Sequence, residues 1–334
     1  MGRCWHGGVI FYAWESILRM TGYLLRRVGQ SIIVIIGVTI IAFLLEHILP
    51  GGPAKGLLGP RATPAQIQAF NHQYGLDRPV IVQYWDYVYG LMHGNLQSSF
   101  KLNEPVTQIL QRELPKTILL VGTALVLSVI IAIPVGIIQA VRRNKALDYV
   151  ITGVSFVLYS MPSFWLGLLL IIAFAEKLKW FPAEAPQGAT IGQVLADPRG
   201  LVLPILTLTL INFAAYSRYM RSSAIESLAQ DWVRTAKAKG LSQRVILFKH
   251  MLRNSLIPIA TLVGLSLPGV FTAGLITEAV FNYPGTGFDF FNAAVNQDYP
   301  LLLGIILVIG VATVVGNLLA DLAYAVLDPR VRYG

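Results

Sequence analysis

Residues 231–258 read DWVRTAKAKGLSQRVILFKHMLRNSLIP, a basic and amphipathic block set between two long apolar segments. Apolar or small residues recur at Ile225, Leu228, Ala229, Trp232, Val233 and Ala236, the spacing of one helical face, while Gln230, Arg234 and Lys237 fall on another. Gly240 ends that helix, since glycine takes the left-handed conformation that closes a helix C-terminus. Ser242 is placed to cap a second helix whose stripe is Val245, Phe248 and Leu252. The block predicts helix, glycine, helix, the form of a docking surface at a membrane edge. A cationic juxtamembrane loop held by anionic membrane lipid is the alternative with the same composition.

The rest of the chain supplies the membrane. Apolar residues make up 55% of it and charged residues 13%, with a mean hydropathy of +0.61, which points to an all-α integral membrane protein. Six segments are long enough to cross a bilayer, at about 20 apolar residues each: 28–49, 117–141, 150–175, 200–219, 256–281 and 301–327. Pro134, Pro162, Pro204 and Pro268 fall inside or near the ends of these spans, where proline frees a carbonyl and permits a kink. Pro268 with Gly269, flanked by Gly264 and Gly274, is the place where a break lining a pathway is expected.

Basic residues set the orientation. Arg19, Arg26 and Arg27 precede the first span, Arg142, Arg143 and Lys145 follow the second, and residues 218–253 are strongly basic. The positive-inside rule puts all of these in the cytoplasm. Residues 281–300 carry Asp289 and Asp298 but no Lys or Arg, and Arg330 and Arg332 end the sequence, so both termini are expected on the cytoplasmic side. The net charge of +9 is explained by this clustering beside apolar spans, and no nucleic-acid partner is expected. The long first span, without a small-residue cleavage site, reads as an anchor rather than a secretory signal. Residues 1–19, with Trp5, Phe11, Tyr12 and Trp14, either form an interfacial helix or precede a true start at Met20.

The division that results is a cytoplasmic segment at 1–27 and a transmembrane domain at 28–334, with an extracytoplasmic insertion at 50–116 and a cytoplasmic loop at 220–255. Within the insertion, Thr63, Pro64 and Gln66 read as a capping box with proline at the first helical position, and Gly75 with Pro79 as the stop. Val82, Trp85, Val88 and Tyr89 predict a second amphipathic helix, lying on the outer membrane face or over a pathway mouth. This insertion either receives a binding protein or caps the helix ends.

The 231–258 block resembles the cytoplasmic EAA loop of ABC importer permeases, with Arg234, Thr235, Ala236 and Gly240 at the positions of E, A, A and G. Only the second alanine and the glycine match the general pattern, and the later Leu-Pro reads Leu252 and Arg253, with proline delayed to Pro258. RTAKAKGL and HMLRNSLIP are closer to the dipeptide, oligopeptide and nickel branch. PSFWLGLLL from Pro162, TEAVFNYPGTG from Thr277, ADLAYAVLDPRVRY from Ala320 and LDRPVIVQYWDYVYGLMHGNLQSSF from Leu76 all resemble B-type subunits of dipeptide permeases, in order, from about Tyr23 onward. One departure is GGP at Gly51 to Pro53, where the family usually reads GDP.

The resemblance implies a six-helix type I ABC importer permease with a second homologous permease, two ABC ATPases and an extracytoplasmic peptide-binding protein as partners. It implies an ATPase-docking surface including Arg234, Thr235, Ala236, Lys237, Gly240, Leu241, Arg244 and Phe248. No GxxxxGK[ST] loop occurs, so ATP and Mg are expected on the ATPase subunits and no cofactor on this chain. The five histidines form no HExxH pair, Cys4 is the sole cysteine, and no GxSxG elbow occurs, so no catalytic or metal site is expected. Glu46, Glu278 and Asp321 lie in or near spans, where an acid is a functional candidate by default. Glu278 joins Pro268 and Gly269 as a pathway candidate, with a hydrogen bond to the following PGTG turn as its structural alternative; Asp321 is expected to anchor packing or pair with an arginine. An ion-coupled secondary transporter would use Glu278 or Asp321, but no inverted repeat stands out. Peptides, nickel and other small solutes all remain open as cargo.

Overall fold

The structure is a computed structural model in which residues 26, 29–44, 47, 52–59 and 61–327 are described, the side chains of residues 265–273 and 319–327 excepted. Regular structure among the described residues is helical, apart from an isolated antiparallel bridge between Ser98 and Pro105. In chain order, α1 spans Gly29–Leu44. A cap of three short helices follows: α2 (Gly52–Leu58), α3 (Pro64–Gln73) and α4 (Val80–Met92). Next come α5 (Val106–Val141), α6 (Ala146–Ser160), α7 (Ser163–Leu170, continued by a π-helical stretch, Ile171–Lys177), α8 (Ile191–Ala196) and α9 (Pro198–Leu228). Then α10 (Asp231–Ala238), α11 (Gln243–Val245, continued by π-helical Ile246–Met251), α12 (Leu252–Val280), α13 (Thr286–Asn296) and α14 (Tyr299–Leu327) complete the fold.

Three helices, α5, α9 and the Tyr299–Leu318 part of α14, are long and apolar enough to cross a membrane, and α6 with α7 makes a fourth if that bent pair is one span. α1 and α12 occupy the places of the first and fifth expected spans. At 36 residues α5 runs about 54 Å, well beyond a hydrocarbon core of about 30 Å, so its Val106 end rises into the cap.

The closest pairing is α5 against α9. Gly136 permits it, because a Cβ there would collide with Met220 and with the Ser217 carbonyl. Around this seam, Leu120, Val121, Ala124, Leu203 and Leu208 are joined by Leu166 and Leu170 of α7 and by Phe281 and Tyr283 beyond α12. Toward the basic end of the bundle, Ile137, Ala140, Met220, Ala224, Met251 and Ile259 form a second core. Toward the cap, Phe70 and Phe100 pack with Val106, Ile109, Leu302 and Ile305. Ile33 on α1 (70% exposed) and Ile130 on α5 (60%) lie outside these cores, on surfaces suited to lipid or another chain.

The cap agrees with expectation at α3. Thr63 is the N-cap, Gln66 N–H donates to its Oγ1 at 3.3 Å, and Thr63 N–H donates to Gln66 Oε1 at 2.9 Å, with Pro64 at the first position. α4 exists as expected. Tyr84, Tyr87, Val88 and Leu91 face Phe43 of α1 and Leu303 of α14, leaving Val82, Trp85 and Tyr89 exposed.

The third expected span, 150–175, is two helices meeting at 109°. Met161 (φ −80°, ψ 133°) and Pro162 (φ −60°, ψ 141°) are both extended, the conformation proline favours in itself and imposes on its predecessor. The expected break at Pro268 is not present: the backbone of α12 is helical without interruption from Leu252 to Val280. Pro115, Pro134 and Pro204 likewise sit inside continuous helices. The side chains of Pro268 and Gly269 lie outside the described residues, as do Glu46, the side chain of Asp321, and residues 1–25.

Candidate functional site

At the basic end, α9 stops at Leu228 and α10 restarts at Asp231, so the apolar stripe read across Ile225 to Ala236 belongs to two helices. Val233 and Ala236 are buried against Ile246, with Trp232 alongside. Ala236 therefore lets α10 lie close to the π-helical stretch, while also lining the hollow beside it. Gly240 (φ 74°) closes α10: its N–H donates to the Lys237 carbonyl at 3.0 Å and Leu241 N–H donates to the Ala236 carbonyl at 3.2 Å. Gly240→Ala should cost about 1 kcal/mol, since a Cβ meets no atom there but the left-handed backbone penalises it. Hydrogen exchange of the α10 amides should rise about fivefold at that cost; unchanged exchange would show that the glycine is not needed for the turn.

Ser242 occupies the N-cap position of α11 in extended conformation, but its side chain makes no capping bond. The stripe of Val245 and Phe248 faces outward. The π-helical turn widens the helix, so Ile246 and Met251 point inward while Phe248 is 66% exposed and Val245 37%. Leu241 is 39% exposed, and Arg234, Thr235, Lys237 and Arg244 are exposed with them. Arg234 reaches Asp231 at 3.3 Å, while Thr235 Oγ1 donates to the Asp231 carbonyl at 3.0 Å. Trp232, Lys239, Leu241, His250 and Asn254 line an adjoining hollow of about 440 Å³. Seven of the expected docking residues thus form one cationic, apolar-studded surface, supported from beneath by Ala236.

Toward the cap, Glu278 is fully buried near the end of α12. Its Oε2 accepts from the N–H groups of Gly287 (2.6 Å) and Phe288 (3.3 Å), at the start of α13. This is the bond to the PGTG turn that was the structural alternative for Glu278. Gly285 and Gly287 permit it, because a Cβ on either would run into the carboxylate. Thr117 Oγ1 on α5 accepts from Thr286 N–H at 2.9 Å, and Tyr283 OH donates to the Lys116 carbonyl at 2.8 Å. Burial, reinforced by Glu278 and Glu113, pushes the Tyr283 hydroxyl up, so it remains a donor. Ala185 N–H donates to the Phe281 carbonyl at 2.8 Å, so the segment before α8 is fixed to the same turn.

Several groups in this clasp were not singled out by the sequence. Lys116 is buried, paired with Glu113, and donates to the Gly188 carbonyl at 3.0 Å. Arg112 bridges Glu113 (2.7 Å) and Glu104 (3.1 Å). Asp289 on α13 is raised to about 6 by burial and then by the nearby Glu113. Asp298 is buried and accepts from the Ser99 hydroxyl and from the N–H groups of Phe100 (3.0 Å) and Lys101 (3.3 Å), joining the insertion to the loop before α14. At the basic end, Arg221 of α9 donates to both oxygens of Asp148 on α6, at 2.6 and 2.7 Å. Asp148 was the one available signal: it is the sole carboxylate in the cationic run from Arg142 to Lys145 and the start of α6.

Bent and straight helices are therefore joined at both ends, with an exposed cationic surface beyond one of them. Residues 132–333 match the family described as binding-protein-dependent transport system inner membrane component, and residues 20–121 match the N-terminal membrane component of such systems. This chain belongs to that family. The permease is 35% identical over 316 residues to the oligopeptide transport system permease protein AppB of Bacillus subtilis, covering 94% of this chain and 100% of the relative. It is 36% identical to the dipeptide transport system permease protein DppB of Alkalihalophilus pseudofirmus, covering 94% and 100%. It is 35% identical to the probable D,D-dipeptide transport system permease protein DdpB of Escherichia coli, covering 96% and 98%. It is a multi-pass membrane protein and the transport component of such a system, which works with ATPase and substrate-binding partners.

Proposed function

We propose that this permease carries dipeptides or short oligopeptides across the cytoplasmic membrane by alternating access, as one of two homologous permeases driven by two ABC ATPases. The naming of its relatives as dipeptide and oligopeptide permeases supports peptide over nickel or an ion-coupled solute. The basic end and both termini lie in the cytoplasm in this reading, and the insertion at 50–116 meets an external peptide-binding protein. The chain itself is noncatalytic, and ATP and Mg are held by the ATPases. Pro268 and Gly269 stay pathway candidates through their backbone, whereas Glu278 acts as the clasp.

The observation that carries the docking role is the surface of Leu241, Arg244, Val245 and Phe248, exposed yet held on a rigid turn. A partner that closes on ATP can shift this chain only if its contacts here differ between states. Phe248→Asp should weaken ATPase capture about 30-fold, the scale of losing an aromatic anchor worth about 2 kcal/mol. Co-purification of the ATPase subunits with tagged permease reads this directly, and undiminished capture would remove the docking role from Phe248.

A further inference from the structure

A guanidinium in a spanning helix is costly unless it meets a partner or water. α9 carries two arginines one turn apart, Arg218 and Arg221, and their surroundings differ. Arg221 is paired bidentately with Asp148. Arg218 faces no carboxylate among the described residues; its Cζ lies 5.0 Å from the Phe156 ring centroid and 4.8 Å from that of Tyr159. Those rings are three residues apart on α6 and share a face, so they hold the cation by its flat side and leave its N–H edge open. Next to it on the two helices, the Ser155 and Ser217 hydroxyls meet at 3.5 Å, and Arg221 of the Asp148 pair lies one turn further along α9.

Phe156 also begins a shallow, open hollow of about 620 Å³ at the 109° bend, lined further by Val157, Ser160, Met161, Pro162, Phe164 and Trp165. Aromatic and thioether walls with one hydroxyl, beside an unmet guanidinium, suit a short apolar ligand with a carboxylate at one end. The same charge argues against lipid tails covering this surface. We infer that Arg218, held by Phe156 and Tyr159, receives the C-terminal carboxylate of a transported peptide in the cytoplasmic half of the pathway, with the hollow at Pro162 taking its side chains. This deepens the proposed peptide transport and rests on it. Arg218 is the specificity-determining group, since a guanidinium fork matches a carboxylate in two parallel bonds.

The test is uptake by the full complex with its binding protein in proteoliposomes. The probes are a mixed-sequence tripeptide pool and the same pool C-terminally amidated, quantified by mass spectrometry. Arg218→Gln should lower free-acid uptake about tenfold, the scale of one charge-assisted bond, and amide uptake less than about twofold. Arg218→Lys, which keeps charge but loses the fork, should fall between. Equal loss of both pools, or no loss from either, overturns the inference while leaving peptide transport standing. An absence of uptake of either pool by the wild-type complex overturns both. Phosphatidylcholine vesicles with and without phosphatidylglycerol separate the other source of anionic oxygen. A loss in Arg218→Gln that appears only with phosphatidylglycerol, at an unchanged acid-to-amide ratio, assigns Arg218 to a lipid headgroup and overturns the inference.

Discussion

Glu278→Ala should destabilise the permease by about 2–4 kcal/mol, because it leaves the Gly287 and Phe288 N–H groups at the start of α13 without their acceptor in a buried site. A carboxylate at a helix N-terminus also interacts favourably with the aligned peptide dipoles, and alanine forfeits that contribution. Glu278→Gln keeps one acceptor oxygen and should lose less than half as much. The two variants, compared by thermal unfolding in detergent, separate clasp from pathway. A clasp gives Ala far below Gln in stability; a substrate-contacting acid leaves both as stable as wild type and lowers uptake alone. Equal stability of Ala and wild type would show that the two bonds contribute nothing to the fold. Gly287 makes the same point from the other partner, since a side chain there meets both the Leu275 backbone and the Glu278 carboxylate.

What could be read from the sequence was what depends on neighbours along the chain. The Thr63–Gln66 capping box, the Gly240 helix stop and the apolar runs of α5, α9 and α14 are each decided within a few residues, and each stands as expected. Membership of the permease family was legible for the same reason, through motifs such as TEAVFNYPGTG. The contacts that position the site join residues far apart in the chain: Asp148 with Arg221, Lys116 with the Gly188 carbonyl, and Asp298 with Ser99. Charge and hydropathy show that such residues exist but not which helix each will face. The choice among prolines failed for a related reason. Pro134 and Pro204 sit inside continuous helices, whereas before Pro162 the preceding Met161 leaves the helical region as well. At the basic end, the π-helical turn buries Ile246 and Met251 together, a pair that a period of 3.6 residues does not place on one face.

The Asp148–Arg221 pair joins α9, which leads toward the proposed docking surface, to the first half of the bent pair, and its loss should have the other large effect. Asp148 is 2% exposed and Arg221 28%, so removing the acid strands a half-buried guanidinium; the cost should be about 3 kcal/mol, the low end for a broken buried pair because Arg221 keeps some water. Asp148→Ala also removes the acceptor of the Asn144 N–H (3.0 Å), in the turn where Asn144 takes a φ of 62°. Asp148→Asn separates these contributions, since its amide oxygen can still accept from Asn144 while the charge is gone. In a double-mutant cycle with Arg221→Ala, the coupling should exceed about 1 kcal/mol, as expected for residues in direct contact. A cycle that closes to zero would mean that the pair does not fasten α6 to α9. If the pair does fasten them, force applied beyond Leu228 at α10 reaches the bend at Pro162 through α9, Arg221 and α6. Asp148→Ala should then leave the ATPases bound, because Phe248 and Leu241 are untouched, while peptide uptake per ATP hydrolysed falls. Loss of ATPase capture in Asp148→Ala would place the damage in the docking surface instead.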